Sequence, residues 1–378
     1  MPKNIGDRFL KKIADRFKAC IRDADILCRI GGDEFALLVP DITNLNDVDK
    51  IARRIIDSFK QPLTVSGHKF SSTVSAGIAI YPNNGRDGKS LLKKADIAMY
   101  KAKEGGKSNL QYFNNYLSRE INLRNDIKKD LKNAIHNGEL FLCYQPLIDA
   151  KTKKTVCLEA LIRWKHPRKG IIGPVEFIPI AEETRHIISI GEWVLKNACK
   201  QLKEWHKTGR TDCGLSINVS AIQLQQPDFA EGVIRILLET GLLPKYLMLE
   251  ITESVLIESV YNVKRNLNRL SKSGVKISID DFGTGYNSLK YVQTLAANSL
   301  KIERTFVFNI KADINKVIID AIISLGHKIN AEIIAEGVET KEQYEYLKEK
   351  GCNIIQGYYF SKPLLPEEAT EFLKVNSN

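Results

Sequence analysis

FLCYQPLIDAKTKKTVCLEALIRW, residues 141–164, holds two apolar, β-rich runs, Phe141–Leu147 and Val156–Ile162. Only residues 149–155 lie between Ile148 and Val156, far short of the dozen or so that a parallel crossover needs. The pair is therefore expected to be an antiparallel hairpin. Downstream come the runs Leu215–Val219, Leu247–Thr252, Lys276–Asp280, Ser299–Ile302, Ile333–Glu336 and Ile354–Phe360. Most gaps between them carry helical periodicity, as in Ile187–Trp205 and Ala230–Glu239. This alternation predicts an α/β fold, a (β/α)8 TIM-type barrel with one antiparallel strand.

Polar residues sit at the ends of these separate runs: Glu159, Asn218, Glu250, Asp280, Lys301, Glu336 and Gln356. In such a barrel the ends of different strands build the chemistry at one rim. Carboxylates and one amide, with no thiolate, suit Mg²⁺ or Mn²⁺ rather than Zn²⁺. Glu159, Asn218, Glu250 and Asp280 would hold a first cation, and Asp281 a second. Two such ions about 3.5–4 Å apart activate water and neutralise charge on a phosphoryl group undergoing in-line displacement. Lys301, among these carboxylates, would position that water or relay its proton. Glu253 would hydrogen-bond the glycine loop containing Gly283 and Gly285, a lid arrangement. Any single one of these residues has an ordinary surface or loop reading; the repetition from strand to strand is what carries weight.

Upstream, Ile26–Ile30 and Ala36–Val39 flank Gly31-Gly32-Asp33-Glu34 and read as a hairpin. A strand over Thr73–Tyr81 and helices over Asp7–Lys18, Val48–Phe59 and Ser90–Lys103 complete an α+β module. Polar residues 114–119 lead into a helix through about Ile135, the expected joint between domains at 1–113 and 118–378.

The chain has 378 residues, with Lys+Arg 56 against Asp+Glu 45, a formal net charge of +11. That balance favours anionic partners, although a solvated basic surface explains it equally. No basic run interleaved with aromatics marks a nucleic-acid face. The Cys count of 7 is odd and the residues are scattered without a C-x-x-C pair, so buried free thiols are expected. No apolar run approaches the roughly 18 residues of a membrane span, and Met1–Leu10 is too charged for a signal peptide. A reducing cytoplasm is the expected compartment.

GGDEF at 31–35, EALIRW at 159–164, LEITES at 249–254, DDFGTGY at 280–286, LKIE at 300–303, AEGVE at 335–339 and QGYYFSKPL at 356–364 stand in order. The second domain resembles the EAL family, which opens cyclic di-GMP to linear pGpG. The first resembles the GGDEF family of diguanylate cyclases. The resemblance implies a pair of Mg²⁺ or Mn²⁺ ions per barrel, with Glu159, Asn218, Glu250 and Asp280 at the first and Asp281 at the second. It makes Lys301 the water-positioning or general-base residue, Glu336 a further acidic member, and Glu253 the glutamate that steadies the glycine loop. It also implies substrate contacts from Gln145, Leu161, Arg163 and Gln356, and a possible homodimer through the barrel.

Three departures stand out. Glu303 replaces the family's usual Asp and, being one methylene longer, would displace a carboxylate of the second metal site. Asn287 replaces a usual Ser, and Leu-Ala-Ala-Asn at 295–298 replaces Leu-Pro-x-Asp. In the first domain Met1 is followed almost at once by Gly6-Asp7, so the family's opening strand and its metal-binding Asp are expected to be missing. Gly31, Gly32, Asp33 and Glu34 would then be vestigial. No cyclase activity is expected, and the module would be loosely folded or dependent on a partner chain, because unpaired strand edges are destabilising. Arg22 and Asp25 match the spacing of the family's R-x-x-D product-inhibition site, although a surface ion pair explains them as well.

The expected function is metal-dependent hydrolysis of cyclic di-GMP. The rival is a receptor that holds the dinucleotide without turnover, with a pure interaction protein as a third class.

Overall fold

Alternation between inward and outward side chains decides the architecture of the larger part of the chain. The computed structural model describes residues 3–42, 44–106, 108–209, 213–253, 255, 261–283 and 297–376. The chain divides into two compact units, Met1–Asp126 and Ile127–Asn378.

In the first unit, β1 (Ile26–Gly31) and β2 (Glu34–Leu38) form the hairpin expected around GGDEF. Gly32 takes φ 52°, the left-handed conformation such a tight turn requires, and the Arg29 guanidinium donates to its carbonyl. One face of the hairpin puts Leu27, Phe35 and Leu37 against a core of Phe17, Ile51, Ile55, Phe59 and Leu63. The opposite face leaves Ile26, Ile30 and Leu38 exposed. A small hairpin, β3 (Leu63–Val65) with β4 (His68–Phe70), follows. The strand expected over Thr73–Tyr81 shortens to β5 (Ala76–Ile78), which pairs in parallel with β6 (Leu110–Tyr112). The helix Gly88–Glu104 lies so close to β5 that a Cβ on Gly77 would stand 2.0 Å from the Ala95 carbonyl oxygen.

The second unit contains the barrel. Its strands are β7 (Leu140–Asp149), β8 (Thr155–His166), β10 (Gly214–Asn218), β11 (Leu247–Thr252), β12 (Lys276–Phe282), β13 (Ser299–Ile302), β14 (Glu332–Ala335) and β15 (Ile354–Ile355), with β9 (Gly170–Ile172) as an appendage on β8. Pairing runs from β10 through β15 to β7 and β8, and β8 pairs back onto β10, which closes the sheet. β7 is antiparallel to both of its neighbours; the other pairs around the ring are parallel. The short loop thus sets the direction of β7, as its length requires. The strand expected over Ile354–Phe360 ends after two residues, because Gly357 and the chain beyond it turn away from the sheet.

The helix Asn115–Leu131 crosses the division between the units and ends earlier than the expected Ile135. Its last turn is tied to the end of β8. Buried His166 lies 3.1 Å through Nε2 from Asp130 Oδ2 and accepts the Arg168 backbone N–H at Nδ1. The Arg168 guanidinium donates to the same Asp130 oxygen at 2.7 Å. Six cysteines are buried thiols, as expected, but Cys28 is exposed on the hairpin. Among the described residues no helix is long and apolar enough to cross a membrane.

Gly77→Ala forces the helix Gly88–Glu104 off β5. It is expected to weaken the first unit by about 1–3 kcal/mol, the usual cost of overpacking. Amide hydrogen exchange on the full chain would report this as lost protection in β5 and that helix.

Candidate active site

Side chains on a strand alternate between faces, so residues two apart share the barrel interior. One interior level holds Gln145, Glu159, Asn218, Glu250, Asp280 and Lys301. The level beneath holds the residues two positions along each strand. There Leu147, Cys157, Met248, Ile334 and Ile354 form one apolar cluster, while Ser216, Ser278 and Ser299 are fully buried. The floor under the polar level is therefore part hydrocarbon and part hydroxyl.

Lys301 stands at the centre of the polar level, 1% exposed. Its ammonium donates to Glu250 Oε2 at 2.7 Å and contacts Glu336 Oε1. Asp280 Oδ1 is 3.7 Å away and Glu159 Oε2 3.8 Å. The other oxygens of the deep carboxylates also meet donors. Ser216 Oγ donates to Glu250 Oε1 at 2.5 Å. Asn218 Nδ2 donates to Glu159 Oε1 at 2.6 Å, and Gln356 Nε2 to Glu159 Oε2 at 2.5 Å. Gln145 accepts from the same Gln356 nitrogen at 3.2 Å and donates to the Ser361 carbonyl. Gln356 Oε1 and Ser278 Oγ are buried and, among the described residues, have no hydrogen-bond partner.

Burial and proximity pull these groups apart in acidity. Burial pushes the Glu250 carboxyl up and the Glu159 charge pushes it further, so it sits well above the usual range despite Lys301. Burial also raises Glu336, to about 7, with Lys301 opposing and Asp280 and Glu159 adding. Burial acts in the same direction on Glu159, but the Lys301 charge and the amides of Gln356 and Asn218 outweigh it, and this carboxyl is lowered. For Lys301 burial opposes the charge, yet the surrounding carboxylates hold it firmly as an ammonium. The carboxyls are therefore pulled apart in acidity, Glu159 downward and Glu250 and Glu336 upward.

Asp281, expected at a second cation, has φ 53°, an unusual backbone for a non-glycine residue. Its N–H donates to Asp280 Oδ1. Burial, then Asp280 and Glu303, raise its carboxyl, so Asp281 and Glu303 feel one another electrostatically. Glu303 itself precedes the short helix Arg304–Phe308. Glu253 is 2% exposed and accepts the Gly283 N–H at 3.1 Å, the contact expected between that glutamate and the glycine loop. Gly283 has φ 104°. Gly285, Asn287 and residues 295–296 lie outside the described residues.

Leu161 and Arg163 follow Glu159 on the same face of β8. Both are half-buried, and the Arg163 guanidinium donates to the Ile162 carbonyl at 2.9 Å. Arg22 and Asp25 meet through the Arg22 backbone N–H, at 2.8 Å from Asp25 Oδ2, a turn contact rather than the expected surface ion pair. Gly31, Gly32, Asp33 and Glu34 are exposed at the hairpin tip.

The donors at the rim are hard oxygens with one amide, a set whose chemistry fits Mg²⁺ or Mn²⁺. Among the described residues no three His, Cys, Asp or Glu side chains stand ready to hold a metal ion; the Lys301 ammonium fills the point that the carboxylates share. Ser216 was missed by the strand-end reading. Its signal is the alternation itself, since it lies two residues before Asn218 on the same face.

The diguanylate cyclase GGDEF domain matches residues 3–109, and the EAL domain matches residues 128–363. The chain is 38% identical, over 97% of its length, to the bifunctional diguanylate cyclase/cyclic di-GMP phosphodiesterase MucR of Pseudomonas aeruginosa, of which it covers 53%. It is 35% identical, over 98% of its length, to the cyclic di-GMP phosphodiesterase NbdA of the same organism, covering 47% of it. The chain thus spans about half the length of the curated relatives it matches. Among solved structures, the MucR phosphodiesterase in complex with c-di-GMP superposes with a TM-score of 0.63 at 41% identity, covering 65% of this chain and 99% of that one. A closed eight-stranded ring with one reversed strand, carrying an acidic rim around a buried lysine, thus joins the matched motifs, and the chain belongs to the EAL domain family.

Proposed function

We propose that the barrel hydrolyses cyclic di-GMP to linear pGpG with the help of a pair of Mg²⁺ or Mn²⁺ ions. One observation carries the reading: Glu159, Glu250, Asp280 and Glu336 converge on Lys301 from different strands of one closed sheet. The names of MucR and NbdA, which share the whole stretch, support the substrate. Glu159, Asn218, Glu250 and Asp280 would hold one ion, with Asp281 and Glu303 at the other. Bound there, the ions would supply Lewis acidity, making water a better nucleophile and offsetting phosphoryl charge.

The chain's own residues do the rest. Lys301 hydrogen-bonds and orients the attacking water, and Glu336, in contact with the Lys301 ammonium, stands beside it to take up the proton. Gln356 keeps a buried Oε1 that has no partner among the described residues, an acceptor that a guanine N–H or a ribose hydroxyl would satisfy. Arg163 and Leu161, further along β8, would line the path of the dinucleotide, with the guanidinium fork toward a phosphate. Glu253 fixes the start of the loop after Asp281 by gripping the Gly283 N–H.

The GGDEF unit is proposed to make no cyclic di-GMP. Asp33 and Glu34 are exposed on the hairpin turn, and among the described residues β1 and β2 pair only with one another. We place the reaction in the cytoplasm, with no polymeric nucleic acid as partner. A homodimer through the barrel is proposed on exposed Ile314 and Val317, three residues apart on the helix Asp313–Lys328. Large apolar side chains exposed on one helix face mark a protein contact.

Purified chain with cyclic di-GMP and Mn²⁺ should yield pGpG, and Lys301→Ala should slow turnover by about 10²–10⁴-fold, the usual range for a lost general acid–base group. Tight binding without product would establish the receptor reading instead, and GTP consumption would overturn the silence of the GGDEF unit. Glu253→Ala should lower kcat by about 10-fold or more, as expected for a lost hydrogen bond to a charged acceptor, with Lys301 and its carboxylates untouched. Ile314→Lys with Val317→Lys should shift the chain from dimer to monomer in sedimentation.

A further inference from the structure

In the cation-free protein, the oxygens proposed to hold a divalent ion are already serving a cation, the Lys301 ammonium. It touches or faces Glu250, Glu336, Asp280 and Glu159 at once, and three of these four belong to the proposed first cation shell. Each deep oxygen already meets a donor. Ser216 and Lys301 occupy the two oxygens of Glu250, while Asn218 and Gln356 occupy those of Glu159. Asn218 presents its NH₂ rather than its carbonyl to the site.

We infer that Lys301 is a tethered counter-ion that holds the cation-free site together, and that a divalent ion gains the site only by displacing its ammonium. This rests on the barrel being a hard-cation site. Without any positive charge, buried carboxylates this close would repel one another strongly. A single ammonium satisfies them only in part, so the arrangement is a holding state rather than a permanent ion pair. A divalent ion brings twice the charge to the same oxygens, and Asn218 then turns its amide to offer oxygen.

The displaced ammonium has a destination. Glu336 is outside the proposed first shell and its side chain is 22% exposed, against 0% for Glu250 and 7% for Glu159. It lies on the open side of the cluster. Lys301 need only release Glu250 and keep Glu336, a small pivot of a long stem. That pivot leaves the ammonium beside the rim, where the attacking water has to be oriented. Lys301 thereby acts twice, first as a stand-in ion and then on the water.

The test measures Mn²⁺ binding without substrate, by the electron paramagnetic resonance signal of free Mn²⁺, on the full native chain and on Lys301→Met. The variant loses the competitor and is expected to bind Mn²⁺ at least about tenfold tighter, given Coulomb energies at these separations. Its melting temperature in EDTA should fall below that of the native chain, and saturating Mn²⁺ should raise it by more. Equal or weaker Mn²⁺ binding by Lys301→Met would overturn the inference, since a lysine that merely orders the site would leave that pattern. Should the variant unfold in EDTA, recovery of its circular dichroism on adding Mn²⁺ supports the inference, and failure to recover at saturating Mn²⁺ counts against it. A native chain that binds no Mn²⁺ would overturn the cation site itself, a different failure from a native chain that binds and a variant that binds no better.

Discussion

A buried ammonium among buried carboxylates is the interaction on which the second unit turns. Neither partner is tolerable alone in a barrel interior. An isolated carboxylate there costs several kcal/mol in lost hydration, and a lone lysine would surrender its proton. Together they are held at contact distances because β8, β11, β12 and β13, together with the residue just beyond β14, each deliver one charge to the same level. That level exists only if the sheet closes. The pairing of β8 with β10 is therefore as necessary to the site as any residue in it.

Beneath the charges, the floor explains why they can be so precise in position. Beneath β7, β8, β11, β14 and β15 it is packed apolar side chain, which resists deformation because interiors are close-packed. Beneath β10, β12 and β13 it is serine, small enough to fit below long polar chains. Ser216 donates upward and fixes one oxygen of Glu250, while Ser299 donates sideways to the Met248 sulfur.

Much of this was legible from the sequence, for physical reasons that differ from place to place. Strand direction at residues 141–164 followed from loop length, because chain reach is a hard limit. Glu159, Glu250, Asp280, Lys301 and Glu336 were legible together, because one apolar run after another closes on a charged residue, although any one alone reads as an ordinary surface charge. Glu253 was legible from its place just past β11, beside the glycine loop. Ser216 was not, since a serine in a strand is ordinary until Asn218, two residues on, is placed in the candidate site. The end of β15 was also missed. Tyr358, Tyr359 and Phe360 have the β-forming character of a strand, but Tyr359 and Phe360 pack on one another and on Tyr344 instead, so aromatic packing overrode local preference. Arg22 and Asp25 had the right spacing for an ion pair, yet the turn let the backbone amide reach the carboxylate first.

Residues 114–119 were expected to lead into a helix through about Ile135, and the structure runs a helix over Asn115–Leu131, four residues shorter at its end, with the division between the units inside it. Its far end is held by His166, buried and bonded to Asp130, on the strand that also carries Glu159. Burial alone would raise the Asp130 carboxyl, but His166 and Arg168 bring it below its usual range, so the anchor stays charged at neutral pH. With that anchor charged, the end of the helix and the strand that delivers Glu159 are fixed to one another inside the second unit.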